Sequence, residues 1–234
     1  MLPARGGFAA RSLRLLLPWC LHGRALSLAA RTFERDHARL LLGAGALGAP
    51  DPSLALVVLN TPDAASERAL RWLWARAGAA RVCADGGANR VHDATAARAA
   101  PALAPDLVVG DLDSLRPDVR AALEAAGVAI ARAPGQDRHD LDKALAAVLE
   151  LGAADAAAGG GPRDVIVWGA FGDRFDHVMA SVDALFRWAD RFDGELALLS
   201  RASVATLLPA GRSVIRPARP VEARARARLS LIHI

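Results

Sequence analysis

The sequence predicts an α/β fold, a parallel sheet of about six strands with helices on both faces. Three observations carry that expectation. From Leu54 onward, short apolar runs alternate with segments of helical period, as when strands are joined by crossover helices. The runs are continuous rather than alternating, as in Leu54-Ala55-Leu56-Val57-Val58-Leu59, which suits strands buried on both faces. The polar clusters follow those runs directly, at the carboxyl ends of the strands, where open α/β sheets bind ligands.

The 234 residues are 53% hydrophobic and 23% charged, a globular composition with ample length for a core. Arg14 and Arg24 break the N-terminal apolar runs, so no membrane span is expected. The two cysteines, Cys20 and Cys83, are too few for a bridge framework or a zinc site and suit a reducing compartment. Net charge is +4 and the pI about 10.2, yet the arginines are scattered or lie in the tails. Of 29 basic residues all but Lys143 are arginine. That reads as coding bias and not as a nucleic-acid-binding stripe.

Residues 1–50 form a separate N-terminal extension, expected to be disordered. No acid precedes Glu34, so a mitochondrial presequence is the alternative to the favoured cytoplasmic location. The α/β domain spans 51–199. Its first strand, 54–59, is ended by Asn60, Thr61 and Pro62, and Ser66 starts a helix that Gly78 stops. A second strand at 81–84 delivers Asp85-Gly86-Gly87-Ala88-Asn89, with a helix from about Arg90. The third, 107–109, runs into Gly110-Asp111-Leu112-Asp113-Ser114. Pro117 opens a helix ended by Gly127, and 128–131 is the fourth strand. A polar loop, 134–139, leads into a helix over 140–151. Strand five, 165–168, a loop at 169–173, a helix over 174–190 and strand six, 196–199, complete a Rossmann-like sheet. Neither G-x-G-x-x-G nor a P-loop follows the first strand.

Several residues at these strand ends are candidates for chemistry. With extended backbone, Asp111 and Asp113 point the same way. Two such carboxylates suit Mg²⁺, which takes oxygen ligands and shares its shell with phosphate; a solvated turn with an N-cap serine explains them equally. Asp137 and Asp140 are three apart, as are Asp140 and Lys143, so they share a helix face. Helix capping is the plain reading of the acids; the lone lysine beside them suits a phosphate. Arg174 and His177 share a face at the next helix start, where a phosphate also fits. His177 is otherwise an ordinary structural histidine, and the Asp85–Asn89 turn an ordinary strand-to-helix turn.

Asp85-Gly86-Gly87-Ala88-Asn89-Arg90, Gly110-Asp111-Leu112-Asp113-Ser114, Gln136-Asp137-Arg138-His139-Asp140-Leu141-Asp142-Lys143 and Arg174-Phe175-Asp176-His177 together resemble the thiamine pyrophosphokinase family. Leu59-Asn60 and Met179-Ala180-Ser181-Val182 also match, and the resemblance, vertebrate-like in character, covers about 54–215. It implies Mg²⁺-dependent transfer of a pyrophosphoryl group from ATP, the co-substrate, to the hydroxyl of thiamine, giving thiamine diphosphate and AMP. It implies Asp111, Asp113 and Asp140 as metal ligands with Asp85 close by, and a catalytic set of Asp85, Asp111, Asp113, Asp140 and Lys143. It also implies nucleotide contacts from Asn89, Ser114, Gln136, Lys143, Arg174 and Asp176, and a homodimer as the assembly.

Three departures from the family pattern stand out. His139 occupies a Ser or Thr position, and Asp173 a glycine position. The family's second, all-β sandwich domain is represented only by 204–208 and 213–215, followed by a low-complexity Arg-Ala tail. Residues 200–234 are therefore expected to be an incomplete remnant of that domain. The alternatives are a catalytically impaired, truncated product that binds only Mg·ATP, or a D-x-D nucleotide-sugar transferase, which leaves the other motifs unexplained.

Overall fold

The computed structural model describes residues 32–36, 40, 49–62, 66–96, 103–135, 138–156, 164–172, 174–210, 212–216 and 230–233. Gln136, Asp137 and Asp173, named above, lie outside the described residues, as does 1–31.

Strands β1 (Thr32–Asp36), β2 (Leu54–Val58), β3 (Ala80–Ala84), β4 (Leu107–Gly110), β5 (Ala129–Arg132), β6 (Asp164–Trp168), β7 (Leu196–Leu199), β8 (Ser203–Thr206), β9 (Arg212–Arg216) and β10 (Ser230–His233) alternate between β2 and β7 with helices α1 (Glu67–Arg76), α2 (Gly87–Ala96), α3 (Pro117–Ala125), α4 (Asp140–Ala156) and α5 (Phe175–Trp188). The main sheet has the order β10-β8-β7-β6-β2-β3-β4-β5. All neighbours from β7 to β5 are parallel.

Successive residues of β2 serve opposite faces. Leu54, Leu56 and Val58 pack with Leu70, Leu73 and Trp74 of α1, Val91 of α2 and Val119 of α3. Ala55 and Val57 pack with Leu141, Leu145 and Val148 of α4 and Leu185 and Trp188 of α5. All five β2 residues are buried, which is why the run carries no polar side chain. The strand order proceeds outward from β2 to β5 and then jumps back to β6 on the other side of β2. Crossovers of one hand require the helices to change face at that reversal, and they do. The switch point, where such sheets bind ligands, lies between the carboxyl ends of β2 and β6.

All six expected strands form. Helix α2 begins at Gly87 rather than near Arg90, because the Ala88 and Asn89 amides already donate to the Asp85 and Gly86 carbonyls. One addition alters the expected architecture. Residues 203–206 form β8, an antiparallel edge of the main sheet against β7, where 204–208 was expected to open a separate β domain. The connection decides this. Ser200 Oγ accepts the Ala202 and Ser203 amides at 3.3 and 3.1 Å, and so short a turn returns the chain antiparallel. Val204 and Ala205 are then fully buried. The expected strand at 213–215 forms as β9 and pairs with β1 in a two-stranded parallel sheet. Beyond the Arg-Ala repeat, β10 pairs parallel with β8.

Candidate metal and phosphate site

The site is assembled at the carboxyl ends of β2, β3, β4 and β6, with the first turn of α4 closing it. Asp85 follows β3 at a φ of 44°, in the left-handed region that Asp tolerates better than most side chains. Neighbouring glycines allow this. A Cβ on Gly110 would sit 2.7 Å from Asp85 Cβ, and one on Gly87 would collide with the Val58 carbonyl oxygen, so Asp85 can pack against the end of β4, and α2 can start pressed against β2, only because these two positions lack side chains. Asp85 is 3% exposed. Its Oδ2 accepts the Ser114 amide at 3.2 Å, and its Oδ1 is buried with no hydrogen-bond partner. Burial raises its pKa, and the nearby Asp140 charge raises it further.

One carboxylate oxygen from each of Asp85, Asp111 and Asp140 lies within 4.8 Å of the other two. Asp113 is not part of that group. The extended backbone expected across 111–113 is not what forms, since Leu112 has a φ of 66°. The turn breaks the alternation of faces, and Asp113 is exposed, accepting a 2.9 Å hydrogen bond from Ser114 Oγ. Asp85, expected only close by, takes the third position.

Lys143 is buried, and its Nζ donates to Asp140 Oδ1 at 2.8 Å. The spacing of three on one helix face produces this pair. Asn89 does not open toward a ligand. Its Nδ2 donates to the Ser114 carbonyl at 2.7 Å and its Oδ1 accepts the Arg116 amide at 3.1 Å, so it braces the loop that carries Asp111 to Ser114. Arg174 and Asp176 pair with each other at the start of α5, at 2.5 and 3.1 Å. Both side chains are nearly two-thirds exposed, and Arg174 pulls the Asp176 pKa down to about 2.

A cavity of about 140 Å³ lies at the switch point, lined by Asn60, Thr61, Asp85, Ser114, His139, Asp140 and His177 among others. Arg174 and Asp176 are outside this lining. Thr61, not singled out in the sequence, ties the two switch-point loops together, its Oγ1 donating to the Gly169 carbonyl at 2.9 Å. Its position directly after the first strand was the available signal. Asp142, also passed over, is buried between α4 and α5. Burial pushes its carboxyl up, but Arg187 and Trp188 outweigh that and hold it below the ordinary carboxylate value. The signal was an acid one turn before Leu145 and Ala146, on a helix face that is otherwise apolar.

The arrangement offers hard oxygen donors with one amine beside them, chemistry that fits a divalent cation and phosphate oxygens. The solved thiamin pyrophosphokinase of Candida albicans shares the fold, with a TM-score of 0.56 at 22% identity over 74% of this chain and 63% of that one. The yeast enzyme gives 0.54 at 18% identity, over 72% and 63%. In sequence, the chain is 34% identical over 166 residues to thiamine pyrophosphokinase 1 of Arabidopsis thaliana, covering 66% of this chain and 58% of the relative. For thiamine pyrophosphokinase 1 of Oryza sativa subsp. japonica the figures are 35% over 147 residues, 58% and 53%. The chain thus spans only a little over half the length of these relatives. The family model for the thiamin pyrophosphokinase catalytic domain matches residues 70–197, from α1 into β7 and across every charged loop described above. The chain belongs to the thiamin pyrophosphokinase family.

Proposed function

We propose that the protein is a thiamine pyrophosphokinase, transferring the pyrophosphoryl group of ATP to the hydroxyl of thiamine to yield thiamine diphosphate and AMP, with Mg²⁺, as a homodimer. The observation that carries this reading is the Asp85–Asp111–Asp140 cluster at the switch point, with Lys143 held on Asp140. The orphaned, buried Asp85 Oδ1 fits a cation ligand, since a buried carboxylate oxygen without a partner is costly. Asp85, Asp111 and Asp140 would hold Mg²⁺, which supplies charge neutralisation for the polyphosphate. Phosphoryl chemistry asks for positioning and charge more than covalent help. Lys143 contributes a compact cation for phosphate oxygens, Ser114 a hydroxyl at the cavity wall, and Arg174 with Asp176 an exposed pair beside the α5 N-terminus. The expected Asp113 and Gln136 contacts stay part of the proposal. The buried thiol of Cys83, its pKa pushed up by burial, suits the cytoplasm.

A second reading, Mg·ATP binding with impaired turnover, is favoured by one observation. The cavity of about 140 Å³ is smaller than the several hundred Å³ typical of a site enclosing an organic ligand. The switch-point cavity therefore does not by itself wall in both thiamine and ATP. The test is to express residues 1–234 and follow AMP with and without thiamine, alongside Mg²⁺-dependent ATP binding. Thiamine-dependent AMP supports the first reading. ATP binding without it supports the second, and no Mg²⁺-dependent ATP binding overturns both.

A further inference from the structure

We propose that Asp142 is a positioning residue, a clamp that sets the first turn of α4 against α5 and so holds Asp140 and Lys143 in register with Asp85 and Asp111. The inference rests on the reading of that cluster as a metal–phosphate site.

Asp142 sits on the first turn of α4 between two residues of the site. Asp140 and Lys143 share one face; Asp142, two residues from one and one from the other, points elsewhere. Its side chain is 4% exposed and faces the C-terminal end of α5. There Oδ1 accepts Trp188 Nε1 at 2.6 Å and Arg187 Nη1 at 2.5 Å, and Oδ2 accepts Arg187 Nη2 at 3.1 Å. Arg187 Nε is held in turn by Asp183, at 2.6 Å. Leu141 and Leu145 of α4 and Leu185 of α5 belong to one apolar cluster beside this pair.

Asp142 is buried but Arg187 is 42% exposed, and such a half-buried ion pair is a weak source of stability, because desolvation of the carboxylate and solvent screening of the guanidinium offset most of the attraction. A two-pronged guanidinium–carboxylate pair is, however, specific in direction and register. Apolar side chains would fill the same space without fixing where along α5 the turn sits. That position matters here because Asp140 must keep its oxygen within 4.8 Å of those of Asp85 and Asp111. A displacement of about 1 Å at a reacting centre is enough for a large loss of function.

The test uses the full chain with Mn²⁺ alone as the probe, read by electron paramagnetic resonance, with thermal unfolding in parallel. Asp142→Asn keeps the shape and an acceptor for Trp188 but loses the ion pair. We expect Mn²⁺ affinity to fall about tenfold, the scale seen when residues supporting metal ligands are removed, with a smaller loss from Arg187→Lys, which keeps the charge without the fork. Asp183→Asn removes only the exposed arm on Arg187 and should leave Mn²⁺ affinity unchanged. Should Asp142→Asn fail to fold, Trp188→Phe removes one donor and keeps the packing, and is expected to weaken Mn²⁺ by a few-fold. Unchanged Mn²⁺ affinity in the folded variant, whatever its melting temperature, makes Asp142 a structural strut and overturns the proposal. An equal loss in Asp183→Asn overturns it too, by pointing to general charge. A wild-type chain that binds no Mn²⁺ overturns the metal reading itself, a result distinct from either.

Discussion

The two sides of the carboxyl edge are built differently. On the inner side, around β3, β4 and the start of α4, three of the candidate residues are tied down, while Asp113 is exposed. Asp85 is buried at a positive φ, Asn89 braces the following loop, and Lys143 is buried on Asp140. On the outer side, at the start of α5, Arg174 and Asp176 lie in solvent and bind each other, with Phe175 76% exposed between them. The inner side carries its cost before any ligand arrives, as a pre-organised centre does. The outer side keeps its charges satisfied by a local pair that solvent screens. The contrast predicts opposite consequences for substitutions of similar size.

The largest effect should come from Asp85→Asn. Asn tolerates the same backbone and can still accept the Ser114 amide, while its NH₂ would point toward carboxylates where an unpartnered oxygen now sits. The metal-free protein should gain about 1 kcal/mol, or roughly 2–4 °C in melting temperature. Mg²⁺-dependent ATP binding should weaken by at least about tenfold, or about 1.4 kcal/mol. Calorimetry and thermal unfolding of the same preparation read both. A variant that loses stability and keeps Mg·ATP affinity would mean that Asp85 serves the fold and not the ligand.

Lys143 belongs to the inner side, and phosphate is its proposed partner, so its effect should be intermediate. Lys143→Ala is expected to weaken ATP by about tenfold and AMP far less, because AMP lacks the outer phosphates. Lys143→Arg should recover little of the loss, since a planar fork replaces a point charge in a closed space. Equal losses for ATP and AMP in a nucleotide titration would instead assign Lys143 to holding Asp140.

The same contrast marks what the sequence made legible. The strands could be read because β2, β6 and β7 must be apolar on both faces, and the positions of the charged loops then follow from connectivity. The pairing of β8 could not, because Val204 and Ala205 suit any buried strand and the direction depends on the Ser200 turn. The D-x-D pattern misled in one respect. Extended backbone is the default after a strand, and a leucine at φ 66° is an uncommon choice that only the surrounding loop imposes. Asp85 was visible as a candidate, but its central place depends on three loops meeting. Asp142 was hidden because an acid in the first turn of a helix already has a sufficient local explanation in the helix dipole.

The smallest effect on stability should come from the outer side, where it also tests whether Arg174 serves the ligand at all. Arg174→Ala removes an exposed pair and should leave the melting temperature unchanged within about 1 °C, as for most surface ion pairs. The Asp176 carboxyl offers a more direct reading. Arg174 now lowers its pKa to about 2, so in Arg174→Ala it should rise toward about 3.9, the ordinary value. Binding of ATP to the wild-type chain should push it the same way if the guanidinium leaves Asp176 for a phosphate, because the carboxylate then loses the cation that favours its charged form. Side-chain NMR of Asp176, titrated with and without Mg·ATP, separates the cases. A pKa that rises in the variant but not with nucleotide would leave Arg174 paired throughout, and the phosphate contacts would then fall to the buried inner side alone.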